Sequence, residues 1–102
     1  MNSYRQGDVY LESVKSIPKN AIPRKTTGKI VLADGEATGH QHVLDSSNAT
    51  AYDDAGVTYL EVQEALAMLT HQEHAPIALP RGKYRMTRQR EYAPEAPRQV
   101  TD

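Results

Sequence analysis

Lys29-Ile30-Val31-Leu32-Ala33-Asp34-Gly35-Glu36-Ala37-Thr38-Gly39-His40-Gln41-His42-Val43-Leu44 is the stretch whose reading decides the fold. Lys29 to Ala33 is an apolar run of strand length. Asp34-Gly35 follows it as a hairpin signal, because both residues tolerate the positive φ of a type I′ turn. The return strand is then Glu36 to Leu44, and a period of two sets Glu36, Thr38, His40, His42 and Leu44 on one face. Two imidazoles on one face, with Cα atoms roughly 6.6 Å apart, can reach a single ion.

The same alternation extends in both directions. Tyr4 to Val14 reads as one strand, with Val9, Leu11 and Ser13 opposite Tyr10, Glu12 and Val14. Pro18 and Pro23 make Ile17 to Lys25 an exposed connection. Ala49 to Tyr52 is a short strand, Asp53-Asp54-Ala55-Gly56 a turn, and Val57 to Gln63 a strand whose apolar-leaning face is Thr58, Leu60 and Val62. Pro80 stops a short run at Ile77 to Leu79, and Gly82 turns the chain into Lys83 to Tyr92. Turn signals at this spacing predict an all-β fold, a small antiparallel sandwich or barrel. The competing expectation is an α+β fold with one helix at residues 64–74, because Ala, Leu, Met and Glu are good helix formers. Residues 1–92 read as a single β-rich domain and 93–102, with Pro94 and Pro97, as a flexible tail.

With 102 residues and neither Phe nor Trp, the core must come from aliphatic side chains and the bodies of six tyrosines. A metal cross-link or burial against another copy, a homo-oligomer, would supplement so thin a core. The absence of cysteine excludes disulfides, thiolate metal sites and a Cys nucleophile. No apolar signal segment opens the sequence and no run approaches a membrane span, so a cytoplasmic protein without a membrane partner is the expectation.

All four histidines fall in two pairs, His40/His42 and His71/His74. No Lys or Arg lies between Ile30 and Pro80, whereas Asp34, Glu36, Asp45, Asp53, Asp54, Glu61, Glu64 and Glu73 all do. Paired imidazoles among carboxylates are the setting a divalent metal needs. The expected ligands are His40, His42 and His71, completed by His74 or Glu73. Zinc fits first; nickel, copper and ferrous iron also accept imidazole. The nearby carboxylates should raise the metal-free imidazole pKa values. Glu36 and Glu73 are the candidate general bases for a metal-bound water. A site closed by four histidines would be structural, and three ligands plus water would leave room for hydrolytic chemistry. Whether the chain is an enzyme stays open at this point.

Two resemblances bear on this. Gly35-Glu36-Ala37-Thr38-Gly39-His40-Gln41-His42 is similar to the first half of the cupin metal motif, although no Glu follows His42 at the cupin spacing. Together with His71-Gln72-Glu73-His74 before a proline and Arg88-Gln89-Arg90-Glu91-Tyr92, it more closely resembles a family of small uncharacterised bacterial and phage proteins. That resemblance covers most of the chain and implies no activity.

Arg81 to Arg90 carries five cations and no acid. One expectation is a solvated edge strand whose cations discourage edge pairing. Arg88 and Arg90 share a side of it and could hold a carboxylate or phosphate over the histidines. The alternative function is a non-enzymatic, phage-associated interaction module that uses strand 81–90 and the Pro-containing tail to bind protein or nucleic acid, with Tyr84 as a stacking platform in the second case. A net charge of -1 weighs against nucleic acid as the partner.

Overall fold

A computed structural model of the chain describes residues 2–34 and 39–88. These form β1 (Ser3–Gln6), β2 (Val9–Val14), β3 (Ile22–Pro23), β4 (Lys29–Asp34), β5 (Gln41–Asp45), β6 (Ala49–Asp54), β7 (Val57–Leu69) and β8 (Ile77–Arg88). Six strands make one antiparallel sheet in the order β1-β2-β8-β7-β6-β3, and β4 and β5 pair antiparallel as a second. The fold is all-β, as the alternation predicts. No helix long and apolar enough to cross a membrane occurs among the described residues.

The inward positions follow the pattern in the sequence. Val9 and Leu11, Leu60 and Val62, and Leu44 are all buried, and they share one core with Ile30, Leu32, Ala67, Leu69, Leu79 and Tyr84. Because that core takes side chains from both sheets, β4 and β5 are held onto the larger sheet by apolar burial. A bridge between Val43 and Thr70 joins β5 to the end of β7.

Four expectations are corrected, and the α+β alternative is set aside. Tyr4 to Val14 is a hairpin, not one strand: Gln6 pairs with Val9, and Gly7, at φ +59°, and Asp8 form the two-residue turn. The β4–β5 pairing is antiparallel as read, but Asp34 is opposite Gln41, so the connection has six residues and His40 precedes the strand. The turn at Gly35 and the face assigned to Glu36 and Thr38 lie outside the described residues. Ile17 to Lys25 is not simply exposed, since Ile22 and Pro23 pair with β6 and Arg24 is half-buried.

Residues 64–69 are strand, not helix. They continue β7 past an irregularity between Val62 and Leu66, where the buried positions change from Thr58, Leu60 and Val62 to Ala67 and Leu69. Pairing with β8 outweighs the helical preference of Ala, Leu and Met. Lastly, β8 runs unbroken through Pro80 and Gly82 and sits between β2 and β7. The run 83–88 is therefore in the middle of the sheet, not at its edge. Pro80 is tolerated because β2 pairs only with Lys83 to Arg88, beyond the proline.

Candidate functional site

Three segments distant in sequence meet at one end of the sheet: the β1–β2 turn, the start of β5, and the loop 70–76 that links β7 to β8. The loop is pinned to β5 by the reciprocal Val43–Thr70 backbone bonds, both 2.9 Å, and by the Gln41 N–H donating to Gln72 Oε1 at 2.9 Å. Gln6, buried at the end of β1, ties all three together. Its Nε2 donates to Leu69 O and Ala75 O, each at 2.9 Å, and its Oε1 lies 2.8 Å from His42 Nδ1.

These contacts fix the chemistry of His42. Two carbonyl acceptors on one side of the Gln6 amide require its NH2 group there, so its oxygen faces His42. An oxygen that can only accept requires the proton of neutral His42 on Nδ1. The lone pair is then on Nε2, and Nε2 lies 3.4 Å from Asp8 Oδ1. The other Asp8 oxygen accepts from Arg88 Nε at 2.7 Å, and Arg88 also donates through Nη2 to Asp34 O. In the segment Tyr84, Met86, Arg88, alternate side chains turn toward the core side of β8, which is why Arg88 reaches the turn while Arg85 faces outward to pair with Glu12.

The other imidazoles gather around His42. The His71 ring centroid is 4.4 Å from that of His42 and 4.6 Å from that of His74; His42 and His74 are stacked at 6.1 Å, and His40 meets His71 edge-on at 5.5 Å. His40 Nδ1 is 3.5 Å from Glu73 Oε1, and the Glu73 N–H donates to His71 Nδ1 at 3.0 Å. A Cβ at Gly7 would stand 2.7 Å from His74 Nε2. The turn glycine therefore serves both a positive φ and the space the ring occupies. Among the described residues, no group of three or more His, Asp or Glu is arranged as a ready-made metal site.

Burial and repulsion between rings act on His42 and His71. Desolvation lowers the His42 pKa below its ordinary value, aided by His71 and His74 and opposed by Asp8. His71 is lowered as well, first by desolvation and then by His74 and His40. The expectation that carboxylates would raise these values fails because loss of water and like charge outweigh them. Burial works to raise the Asp8 pKa, but the Arg88 hydrogen bond and charge together bring it below the usual carboxylate range.

All four sequence-predicted histidines are thus in one cluster, with Glu73 at its exposed rim. Arg88 holds the carboxylate of the chain's own Asp8 beside the histidines. Glu36 and Arg90 lie outside the described residues. Absence of cations from the sequence around the histidines does not carry over into space, because β8 brings Arg88 to them. Within the same run, Arg85 pairs with Glu12. Tyr84 is buried, stacks edge-on with Tyr4 at 5.9 Å and donates to Pro80 O at 2.7 Å, so it offers no stacking platform.

Gln6, Gly7 and Asp8 are the residues that sequence reasoning missed. The signal was the Gly-Asp dipeptide inside an otherwise alternating run, a turn marker that divides it into two strands.

The chain belongs to the family described as Domain of unknown function (DUF8820), whose model matches residues 5–89. No curated protein and no solved structure matches it.

Proposed function

We propose that this protein binds one divalent metal ion through its histidine cluster, with His40, His42, His71 and His74 as the imidazole donors and zinc as the first choice. The observation that carries this reading is the Gln6-fixed tautomer of His42. A buried ring with its lone pair facing a carboxylate, and with the His71 and His74 rings 4.4 and 6.1 Å away by centroid, is an arrangement that a cation would stabilise. The depressed pKa values of His42 and His71 support it, because neutral imidazole is the form that ligates.

Loop 70–76 supplies the adaptable side. His71 currently spends Nδ1 on the Glu73 N–H, so a rotation of its ring and of His74 would complete coordination around a His42 that is already set. A closed set of four imidazoles gives a structural ion. Three protein ligands leave a position for water, with Glu73 at the rim as the candidate base for hydrolytic chemistry.

Elemental analysis and calorimetry on untagged protein test this. Wild type should take up one Zn2+ per chain with a Kd well below a micromolar, and His40→Ala/His42→Ala should lose at least a hundredfold in affinity, since buried His42 is the preset donor. Wild type that binds no tighter than millimolar overturns the reading.

A further inference from the structure

We propose that Asp8 is an anionic ligand of the same ion, so that the site is a mixed carboxylate–imidazole seat with His42 and Asp8 as its two preset donors and Arg88 as the residue that positions Asp8. This rests on the metal reading above and adds to it a charged donor from outside the histidine motifs.

Geometry is the first argument. Two ligand atoms about 2.0–2.1 Å from a tetrahedral zinc stand roughly 3.3 Å apart, and His42 Nε2 and Asp8 Oδ1 are 3.4 Å apart. The second is hydrogen-bond accounting. With the Gln6 oxygen holding the His42 proton on Nδ1, both atoms facing each other across that gap are acceptors. Two acceptors at this distance repel unless a cation lies between them, and either a proton or a metal ion meets that need. A proton would join only these two atoms, whereas the His71 and His74 rings also stand beside His42, 4.4 and 6.1 Å away by centroid. A divalent ion satisfies both lone pairs and is large enough to draw in a third.

Arg88 explains why the carboxylate stays in place. Its Nε holds Oδ2 at 2.7 Å, leaving Oδ1 for the site, and its second bond to Asp34 O ties that orientation to the β4 end. Carboxylate ligands of metals are usually fixed in this way by an outer partner. One carboxylate among imidazoles leaves a bound divalent ion with a net charge of +1 and favours zinc, ferrous iron, cobalt or manganese over soft monovalent copper.

The test is a chelator competition with Zn2+ on full-length wild type, Asp8→Asn, Asp8→Glu and Arg88→Gln, each checked for native circular dichroism. Outer partners alone are worth roughly 10–100-fold in affinity. Asp8→Asn, which keeps the shape and turn preference but loses the charge, should therefore fall by about 100-fold or more. Asp8→Glu should recover part of the loss, and Arg88→Gln should fall by about 10-fold. Wild-type affinity in a folded Asp8→Asn removes Asp8 from the site while leaving the histidine reading standing. Failure of wild type itself to take up Zn2+ overturns both. An equal loss in Asp8→Asn and Asp8→Glu, with Arg88→Gln unaffected, would reduce Asp8 to a turn residue and overturn this inference alone.

Discussion

At the β3–β6 end of the sheet, Arg24 donates through Nε to Asp53 Oδ2 at 2.7 Å and through Nη2 to Asp53 Oδ1 at 2.9 Å. It also reaches Val31 O at 3.0 Å, while the Thr58 hydroxyl caps Oδ1 at 3.1 Å. At the β1–β2 turn, Arg88 and Asp8 form a similar pair, but the remaining carboxylate oxygen meets the unprotonated side of His42. Both clusters join an arginine, an aspartate and a strand of the smaller sheet. In the first, every facing atom has its complement, and the group acts as a clamp between β3, β4 and β6. In the second, one acceptor faces another. The difference is that the first cluster is a closed ion pair, whereas the second leaves one partly exposed carboxylate oxygen turned toward an imidazole, which is where the proposed cation would sit.

The largest expected effect breaks the second cluster at its backbone. Gly7→Ala forces a side chain into a positive-φ position and places Cβ 2.7 Å from where His74 Nε2 now stands. It should cost about 2 kcal/mol in chemical denaturation, from left-handed strain plus displacement of the ring. A loss under about 0.5 kcal/mol would mean that the turn relaxes freely and that the glycine does not shape the cluster.

Next in size is the first cluster. Arg24→Met keeps the aliphatic stem and removes the fork, and it should cost about 1 kcal/mol. Charged hydrogen bonds are typically worth more than that, but the pair is partly open to water. The same variant should leave Zn2+ affinity unchanged, because its ion pair lies outside the histidine cluster. A parallel loss of affinity would show that the two ends are coupled through β4.

The smallest effect is in pH, and it separates the clusters by window. His42 and His71 titrate lower when folded than when unfolded, so in metal-free protein their contribution is present above about 6.5 and is lost as pH falls toward the folded values. Asp53 is also lowered, first by its Arg24 hydrogen bond, and Asp8 is lowered by Arg88 against the opposing effect of burial. Their contribution is present above about 3.8 and is lost only below it. Urea midpoints of the metal-free protein should therefore soften as pH falls below about 6.5, and soften again below about 3.8. His42→Gln should remove much of the first step and none of the second. A single transition confined to acid pH would assign the whole dependence to the carboxylates.

The sequence made half of the second cluster legible. His42 shares its parity with buried Leu44, so its inward direction could be read from a period of two. The pairing of His71 and His74 marked them, but not how they would be held: the helix expectation for residues 64–74 weighed local propensity and had no access to the β8 partners of Leu66 to Leu69. Asp8 was hidden by reading Tyr4 to Val14 as one strand. Arg88 was legible as a cation able to hold a carboxylate, though its carboxylate comes from 80 positions earlier in the chain.

What the sequence by itself determined is the local alternation: strands with inward Val9, Leu11, Leu44, Leu60 and Val62, an all-β fold, and two histidine pairs in a run without cations. These depend on spacing along the chain, which is a property of a few neighbouring residues. The tertiary structure alone decided that β8 would lie in the middle of the sheet, that Gln6 would choose the proton position of His42, and that Asp8 would face it. Those facts depend on pairings such as Val9 with Arg88 and on hydrogen bonds such as Gln6 to Leu69. Such contacts exist only once the apolar faces have been buried together, because burial removes the water that would otherwise satisfy the polar groups and makes each of them find a partner in the fold.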